Sequence, residues 1–259
     1  MELKYVAGHD FLQRNNWSGF KLAGYPAFFS GKRGSRKIMQ NSCCATKSIN
    51  NLENTFDRKR AEKEARAYLE DGANKRLKKL LAYFQDQYAK PLTVLDIGCG
   101  VGGAHFELLK NGLALNVIGV EASSNYIASA RQIADSLKFA DRVRYAQMDF
   151  AQSSDAIEAA DVVILDRVIC CYPLLENLLA PAAARAKLYL ALSYPREDWW
   201  LQIAYRLSNI MREVRKSEFF TYIHAHAEVH RIALQHGLSP AYATRSGEWQ
   251  ITIFVRKED

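Results

Sequence analysis

Three glycines at alternate positions follow a short apolar run that carries one acid, Asp96. The run Val94–Ile97 is typical of a buried parallel strand, and Gly98, Gly100 and Gly102 predict a sharp turn from that strand into a helix. Glycine leaves bare main chain for a ligand to lie against, and ligands of open α/β sheets bind at the carboxyl ends of strands. The segment therefore predicts a ligand site at this turn.

Two further carboxylates follow apolar segments in the same way. Glu121 comes directly after residues 116–120, and its ionised carboxylate could accept hydrogen bonds from both hydroxyls of a ribose. That geometry serves several nucleotide cofactors, and an ordinary surface acid remains the alternative. Asp149, between Met148 and Phe150, could bind a ligand or only cap the next helical turn.

Strands and helices alternate along most of the chain, which would bring these carboxylates to one edge of a sheet. The predicted strands are Thr93–Ile97, Asn116–Val120, Val143–Gln147, Val162–Leu165, Lys187–Ser193, Ala241–Ser246 and Gln250–Arg256. The predicted helices are Phe56–Leu69, Asn74–Tyr88, Ala104–Asn111, Ser124–Leu137, a short one or a loop at Ser153–Ala159, Pro173–Ala184, Asp198–Val214 and Glu228–His236.

This alternation predicts an α/β fold with a doubly wound, Rossmann-like sheet and helices on both of its faces. Seven strands are expected, mostly parallel with one antiparallel strand. The last two strands are joined by only a few residues, so they should form an antiparallel hairpin, because a parallel crossover needs far more chain.

The stretch Val94–Gly103, VLDIGCGVGG, resembles motif I of the class I S-adenosylmethionine-dependent methyltransferases. Its G-x-G-x-G spacing differs by one residue from the dinucleotide fingerprint G-x-G-x-x-G. Two shorter stretches, Val168–Pro173 and Tyr222–Leu234, resemble segments of magnesium-protoporphyrin O-methyltransferases. The likeness covers residues 57–255.

The resemblance implies S-adenosylmethionine as the cofactor and assigns residues to it. The first strand and its turn would hold the amino-acid end of the cofactor through Asp96, Gly98, Cys99, Gly100 and Gly102. Glu121, with Ala122 beside it, would bind the ribose. Met148, Asp149 and Phe150 would enclose the adenine, on which Tyr126 or Ile127 could also pack. Asp166 would lie where the methionine end of the cofactor meets the substrate.

Methyl transfer requires the enzyme to position a nucleophile and, for a hydroxyl or an amine, to remove its proton. We expect Asp166, Tyr172 and His224 to serve the reaction, since histidine titrates near neutrality and Asp166 could act as a base, an orienting group or only a helix cap. A carboxylate acceptor would need no base, only Arg167 or Arg196 to orient it. The expected acceptor is a small aromatic or apolar molecule, methylated on oxygen or nitrogen, and no metal is expected because the histidines lack ligand spacing.

The apolar stripe of one predicted helix and a pair of adjacent cysteines each have two interpretations. Trp199 and Trp200 begin an apolar stripe on a predicted helix, and the stripe could pack against the sheet or cover a flat acceptor. Cys170 and Cys171 have no acid–base partner nearby in sequence, which favours small buried hydrophobic side chains over nucleophiles.

The positive charge of the chain is concentrated at its N-terminus. The 259 residues carry a net charge of +7, and residues 1–52 hold eight of the 35 basic and two of the 28 acidic residues. A basic arm, residues 1–52, partly disordered or acting as a lid, is therefore predicted before a methyltransferase domain, residues 53–259. The domain is nearly neutral, which makes nucleic acid an improbable partner.

Composition also bears on location. No apolar run is long enough to span a membrane, and five cysteines without a pairing pattern favour a reducing compartment. A cytoplasmic enzyme is the first expectation, although the acid-poor arm also fits an organelle transit peptide. The oligomeric state is not indicated.

Two other functions stay open at this point. An RNA methyltransferase would use the basic arm as an electrostatic tether. An NAD-dependent oxidoreductase would share the fold, although the glycine spacing and the stretch Met148–Phe150 argue against it.

Overall fold

The protein is described by a computed structural model over residues 55–85, 90–217 and 219–257. The arm predicted for residues 1–52 lies outside these residues, so its organisation stays a prediction. The described helices are α1 (Arg58–Asp71), α2 (Lys75–Gln85), α3 (Gly103–Lys110), α4 (Ser124–Ser136), α5 (Phe150–Ser153), α6 (Leu175–Arg185), α7 (Trp199–Val214) and α8 (His226–Gln235). The strands are β1 (Leu92–Ile97), β2 (Ala114–Glu121), β3 (Val143–Gln147), β4 (Ala160–Asp166), β5 (Ala186–Pro195), β6 (Leu238–Ser246) and β7 (Trp249–Arg256).

The strands form one sheet in the order β3-β2-β1-β4-β5-β7-β6. β7 pairs antiparallel with both β5 and β6, and the other described pairs are parallel, so the predicted fold class is confirmed. The chain passes from β1 outward to β2 and β3 and then returns to the other side of β1 as β4. The carboxyl ends of β1 and β4 therefore meet at a topological switch point, where a crevice opens.

The central strands are apolar on both faces because helices cover both sides of the sheet. Successive side chains of β4 point to opposite faces. Val162 belongs to the hydrophobic cluster that contains Phe84 of α2, whereas Val163 belongs to the cluster that contains Leu178 of α6. This two-sided core fixes the strand ends that carry the site.

Two helices begin at positions that differ from the prediction. The short helix predicted from Ser153 is α5, which begins at Phe150 because the side chain of Asp149 accepts a hydrogen bond from the backbone N–H of Ala151 at 3.0 Å. The helix predicted from Pro173 is α6, which begins at Leu175.

The apolar stripe of α7 does not pack against the sheet. Leu201 is the one buried residue of this helix, and Trp199 and Trp200 are 74% and 49% exposed. The core-packing interpretation of the stripe is therefore wrong. No helix in the described part of the chain combines the length and the hydrophobicity that a membrane span requires.

Candidate cofactor and acceptor site

A cavity of about 480 Å³ lies over the carboxyl ends of β1, β2 and β4. Each of these strands contributes its last residue or the residue that follows: Gly98 after β1, Glu121 at the end of β2 and Asp166 at the end of β4. The cavity therefore lies at the switch point of the sheet.

The glycine turn lies against the cavity in a backbone conformation that favours glycine. Gly98 has φ +62°, and a Cβ there would lie 2.7 Å from a methyl group of Val168. Gly102 has φ +91°, and a Cβ there would lie 2.5 Å from the ring of Phe106. Gly98 and Gly100 line the cavity, whereas Gly102 and Cys99 do not. The turn thus presents main chain to a ligand at its first two glycines.

Asp96 lies beneath the cavity wall rather than on it. Its side chain is buried, and Oδ2 lies 2.8 Å from Nδ1 of His105, whose Nε2 lies 3.1 Å from the hydroxyl of Tyr145. The first of these contacts runs from the end of β1 to α3, so Asp96 fixes the geometry of the glycine turn between them. Direct contact of Asp96 with a cofactor stays a prediction.

Glu121 connects the turns that follow β1 and β2. Its carboxylate accepts hydrogen bonds from the backbone N–H groups of Gly100 at 3.0 Å, Ala122 at 2.8 Å and Ser123 at 3.0 Å. Burial raises the pKa of Glu121, and these three hydrogen bonds oppose the shift. A carboxylate offers about four acceptor positions, so Oε2 retains capacity for a ligand hydroxyl. Glu121 and Ala122 both line the cavity.

Met148 and Phe150 line the cavity, whereas Asp149 between them does not. Oδ1 of Asp149 accepts hydrogen bonds from the N–H of Ala151 and, at 2.7 Å, from the hydroxyl of Tyr172. The carboxylate therefore caps α5 and fixes Tyr172. This arrangement agrees with the helix-capping alternative for Asp149. It does not support the assignment of Asp149 to the adenine.

Two aromatic side chains on the cavity wall, of which only Tyr126 was predicted, are in contact with each other. Tyr126 lines the cavity, whereas the alternative, Ile127, does not. Phe56 also lines it and contacts the ring of Tyr126 edge to face, with centroids 5.7 Å apart. Phe56 lies just before α1. The charged sequence of that helix did not indicate a site, so Phe56 was not predicted to line one.

Asp166 is held by two partners at the other end of the cavity. Its Oδ1 forms an ion pair with the guanidinium of Arg76 and accepts a hydrogen bond from the hydroxyl of Ser193. Burial lowers the pKa of Arg76 to about 9, and the neighbouring Arg167 adds to the shift. Arg76 still carries its charge at neutral pH, so Asp166 is neutralised within the protein.

Tyr172 lines the cavity and its hydroxyl donates to Asp149, while burial and the charge of Asp149 raise the pKa of Tyr172. His224 is not among the lining residues. Its Nε2 lies 3.0 Å from the carbonyl oxygen of Ile169 and 2.9 Å from that of Tyr172, so Nε2 carries the proton and donates. The prediction of a catalytic His224 is therefore not supported, because this side chain braces the loop after β4.

Two arginines and a tryptophan also line the cavity. Arg167, which was predicted, has φ +64° and lies with its Cζ 6.0 Å from the ring centroid of Trp249. Arg212 and Trp249, which the sequence did not single out, also line the cavity. Both come from elements far along the chain, α7 and β7, so no local pattern could have indicated them.

Cys171 lies on the cavity wall, whereas Cys170 is buried beside it. The hydrogen bond from Cys170 lowers the pKa of the Cys171 thiol, and Arg167 and Arg212 act in the same direction. The described residues contain no group of three or more side chains that could bind a metal ion.

Comparison with known proteins gives the class of the molecule. A family model described as a methyltransferase domain matches residues 89–233, which is more than half of the chain. The fold, the glycine turn and this match define an S-adenosylmethionine-dependent methyltransferase. The chain belongs to that methyltransferase-domain family, and its cofactor is S-adenosylmethionine, which excludes the oxidoreductase alternative.

Solved structures share the fold. Magnesium protoporphyrin IX methyltransferase from Synechocystis PCC 6803 with bound SAH aligns with a TM-score of 0.64 at 23% identity, over 82% of this chain and 100% of that chain. The same protein with bound SAM aligns with a TM-score of 0.60 at 24% identity, over 83% and 97%. An O-methyltransferase family protein from Burkholderia thailandensis aligns with a TM-score of 0.62 at 16% identity, over 80% and 63%. No curated protein matches the chain in sequence.

Proposed function

We propose that this methyltransferase transfers the methyl group to a carboxylate on a small acceptor with an aromatic or apolar body. The observation that carries the proposal is the composition of the acceptor end of the cavity. Two cationic side chains, Arg167 and Arg212, line it, while the candidate bases are engaged within the protein. An acceptor that is already an anion fits such a wall.

Each candidate base has a partner that occupies it. Asp166 is ion-paired with Arg76, the hydroxyl of Tyr172 donates to Asp149, and Nε2 of His224 donates to two carbonyl groups. A phenol or an amine acceptor would need a group that takes its proton. A carboxylate attacks in its ionised form, so no proton has to move.

The cofactor supplies an electrophilic methyl group bound to a sulfonium. We infer that the main chain of Gly98 and Gly100 holds its amino-acid end, that Glu121 accepts from its ribose, and that Met148 and Phe150 flank its adenine. The cradle fits, because Gly98 and Gly100 present bare main chain to the cavity beside Glu121. Oδ1 of Asp166, neutralised by Arg76, would then define the border between the cofactor and the acceptor.

Arg167 and Arg212 would orient the acceptor carboxylate so that one of its oxygens lies in line with the bond that breaks. The new bond joins that oxygen to the methyl carbon, the carbon–sulfur bond breaks, and its electron pair stays on the sulfur. An ester and a neutral thioether result. Trp249, whose ring centroid lies 6.0 Å from Cζ of Arg167, lines the same cavity and would contact the apolar body of the acceptor.

The test is a methylation assay with the full chain, labelled cofactor and matched acceptors that carry a carboxylate, a phenol or an amine on the same aromatic body. We expect label in the carboxylate acceptor, released by mild alkali as an ester would be. Arg167→Met and Arg212→Met should each raise KM for that acceptor about tenfold or more, the scale of a lost charged hydrogen bond, without changing SAH affinity. Arg144→Met, which removes an exposed ion pair with Glu158, is the control.

Alkali-stable label in the phenol or the amine would overturn the carboxylate assignment and leave the methyltransferase class intact. Unchanged KM in both arginine variants would remove these two residues from the acceptor site.

A further inference from the structure

Helix α7 turns its apolar side away from the protein. Its inward positions are Leu201, Tyr205, Asn209 and Arg212, which are buried or half-buried. The opposite side, called here the outer face, consists of Trp199, Trp200, Ile203, Leu207, Ile210, Met211 and Val214, which are between 49% and 74% exposed. Single exposed hydrophobic side chains are ordinary, but a contiguous row of seven along one helix indicates an interaction surface.

The inward contacts fix this orientation of the helix. The side-chain amide of Asn209 donates to the carbonyl of Thr221 at 2.7 Å, and its oxygen accepts from the N–H of Thr221 at 3.1 Å. The guanidinium of Arg212 lies 5.1 Å from the ring centroid of Phe219. Rotating α7 to bury its apolar side would break these contacts, so the outer face is held toward the surroundings.

Cationic side chains border the outer face. At about 100° per residue, Arg206 and Arg215 fall on opposite margins of the apolar stripe, and Lys216 follows the end of the helix. All three are exposed, and none forms an ion pair within the described part of the chain. Glu213 is the one exposed acid in the helix itself.

We propose that the outer face of α7 binds the surface of a bilayer that contains anionic lipids. An apolar stripe with tryptophans at one end and arginines on its margins is the arrangement of helices that lie in the membrane interface. The tryptophan rings suit the headgroup level, and the arginine stems can bury carbon while their charges stay among phosphates. This is peripheral binding by one helix face and requires no membrane span.

The same charges disfavour the other occupants of this face. A second copy of the chain would bring Arg206, Arg215 and Lys216 toward an identical cationic border. The segment 1–52 carries eight basic and two acidic residues, so it too would meet like charge. Anionic lipid is the surface whose chemistry complements both the apolar stripe and its margins.

The experiment is flotation of the full chain with vesicles of phosphatidylcholine alone or mixed with phosphatidylglycerol. We expect the protein to float with the mixed vesicles and to bind the zwitterionic ones more weakly. The double variant Leu207→Gln with Ile210→Gln should bind the mixed vesicles at least about tenfold more weakly. A matched double variant, Leu69→Gln with Leu234→Gln, removes two equally exposed apolar side chains from other helices and should bind like the unmodified chain.

Retained SAH affinity and an unchanged melting temperature would show that both double variants are folded. The proposal is overturned if the unmodified chain fails to float with either vesicle, or if the α7 variant floats as well as the control. A dimer that the α7 variant converts to a monomer, without flotation of the unmodified chain, would assign the outer face to a second copy instead.

Discussion

At the scale of single residues, Glu121 connects the two turns that border the cavity. Its carboxylate holds three backbone N–H groups from two turns and still faces the cavity. Burial works against its charge, and the hydrogen bonds work for it. The residue therefore links the glycine turn to the turn after β2, and on the proposed function it would also accept a ribose hydroxyl.

Glu121 should make cofactor binding depend on pH. Burial raises its pKa in the folded protein above the ordinary value of 4.5, and a hydroxyl donor requires the ionised carboxylate. SAH affinity should therefore fall as the pH decreases through this raised pKa, while Glu121→Gln should bind about 1–3 kcal/mol more weakly at neutral pH and lose that pH dependence. Calorimetric titration from neutral to mildly acidic pH measures both.

Protonation of Glu121 at lower pH does not unfold the protein, so unfolding through this residue does not account for the expected loss of SAH affinity. Because the pKa of Glu121 is higher in the folded than in the unfolded chain, protonation of this residue favours the folded state. Its contribution to stability is lost as the pH rises, not as it falls. A Glu121→Gln variant with unchanged SAH affinity at every pH would exclude the residue from the cofactor site.

At the scale of elements, α2 stabilises the strand ends of the site from outside the sheet. Arg76 at its start forms the ion pair with Asp166 of β4, and its Nη1 also lies 3.1 Å from Oγ of Ser193 in β5. The three residues join a helix to two neighbouring strands. Asp166, which belongs to this junction, lines the cavity. Loss of the charge of Arg76 would therefore both weaken the junction and change the charge at the cavity wall.

Replacing Arg76 by Met should destabilise the protein by about 3 kcal/mol, because it leaves the carboxylate of Asp166 unpaired in a mostly buried place. The exposed pair of Arg144 and Glu158 offers the matched comparison, since Arg144→Met should cost less than about 1 kcal/mol. Denaturant unfolding of both variants measures the difference. Equal free energies of unfolding would mean that the ion pair of Arg76 contributes little to the fold.

At the scale of the whole molecule, the described residues that line the cavity lie between Thr55 and Trp249. The basic segment 1–52 adds most of the net charge and lies outside the described residues. Two of the hypotheses for this segment, a lid and an RNA tether, differ in what its removal would change.

A chain that begins at residue 53 should bind SAH within about threefold of the affinity of the full chain, because it keeps every described cavity residue from Thr55 to Trp249. Calorimetric titration of both chains measures this. A large loss of affinity would identify the segment as a lid. Salt-dependent RNA binding by the full chain, abolished by the truncation, would support the tether instead.

The sequence by itself determined the order of the elements, the reversed last strand and several residues that line the cavity. These follow from local properties: alternation of apolar residues, the length of the last connection, and glycines at the end of a strand. Gly98, Gly100 and Glu121 could be placed on the cavity because parallel strands bring their carboxyl ends to one edge.

Only the tertiary structure showed which of the predicted site side chains already have partners within the protein. Asp149 caps a helix and holds Tyr172, His224 braces a loop, and Asp166 is neutralised by a residue from α2. Such pairings join residues far apart in the chain, and a periodic pattern carries no information about them. Arg212 and the outward orientation of α7 could not be predicted either, because both depend on contacts between distant parts of the chain. The stripe shows that a helix has an apolar side but not which way that side is turned.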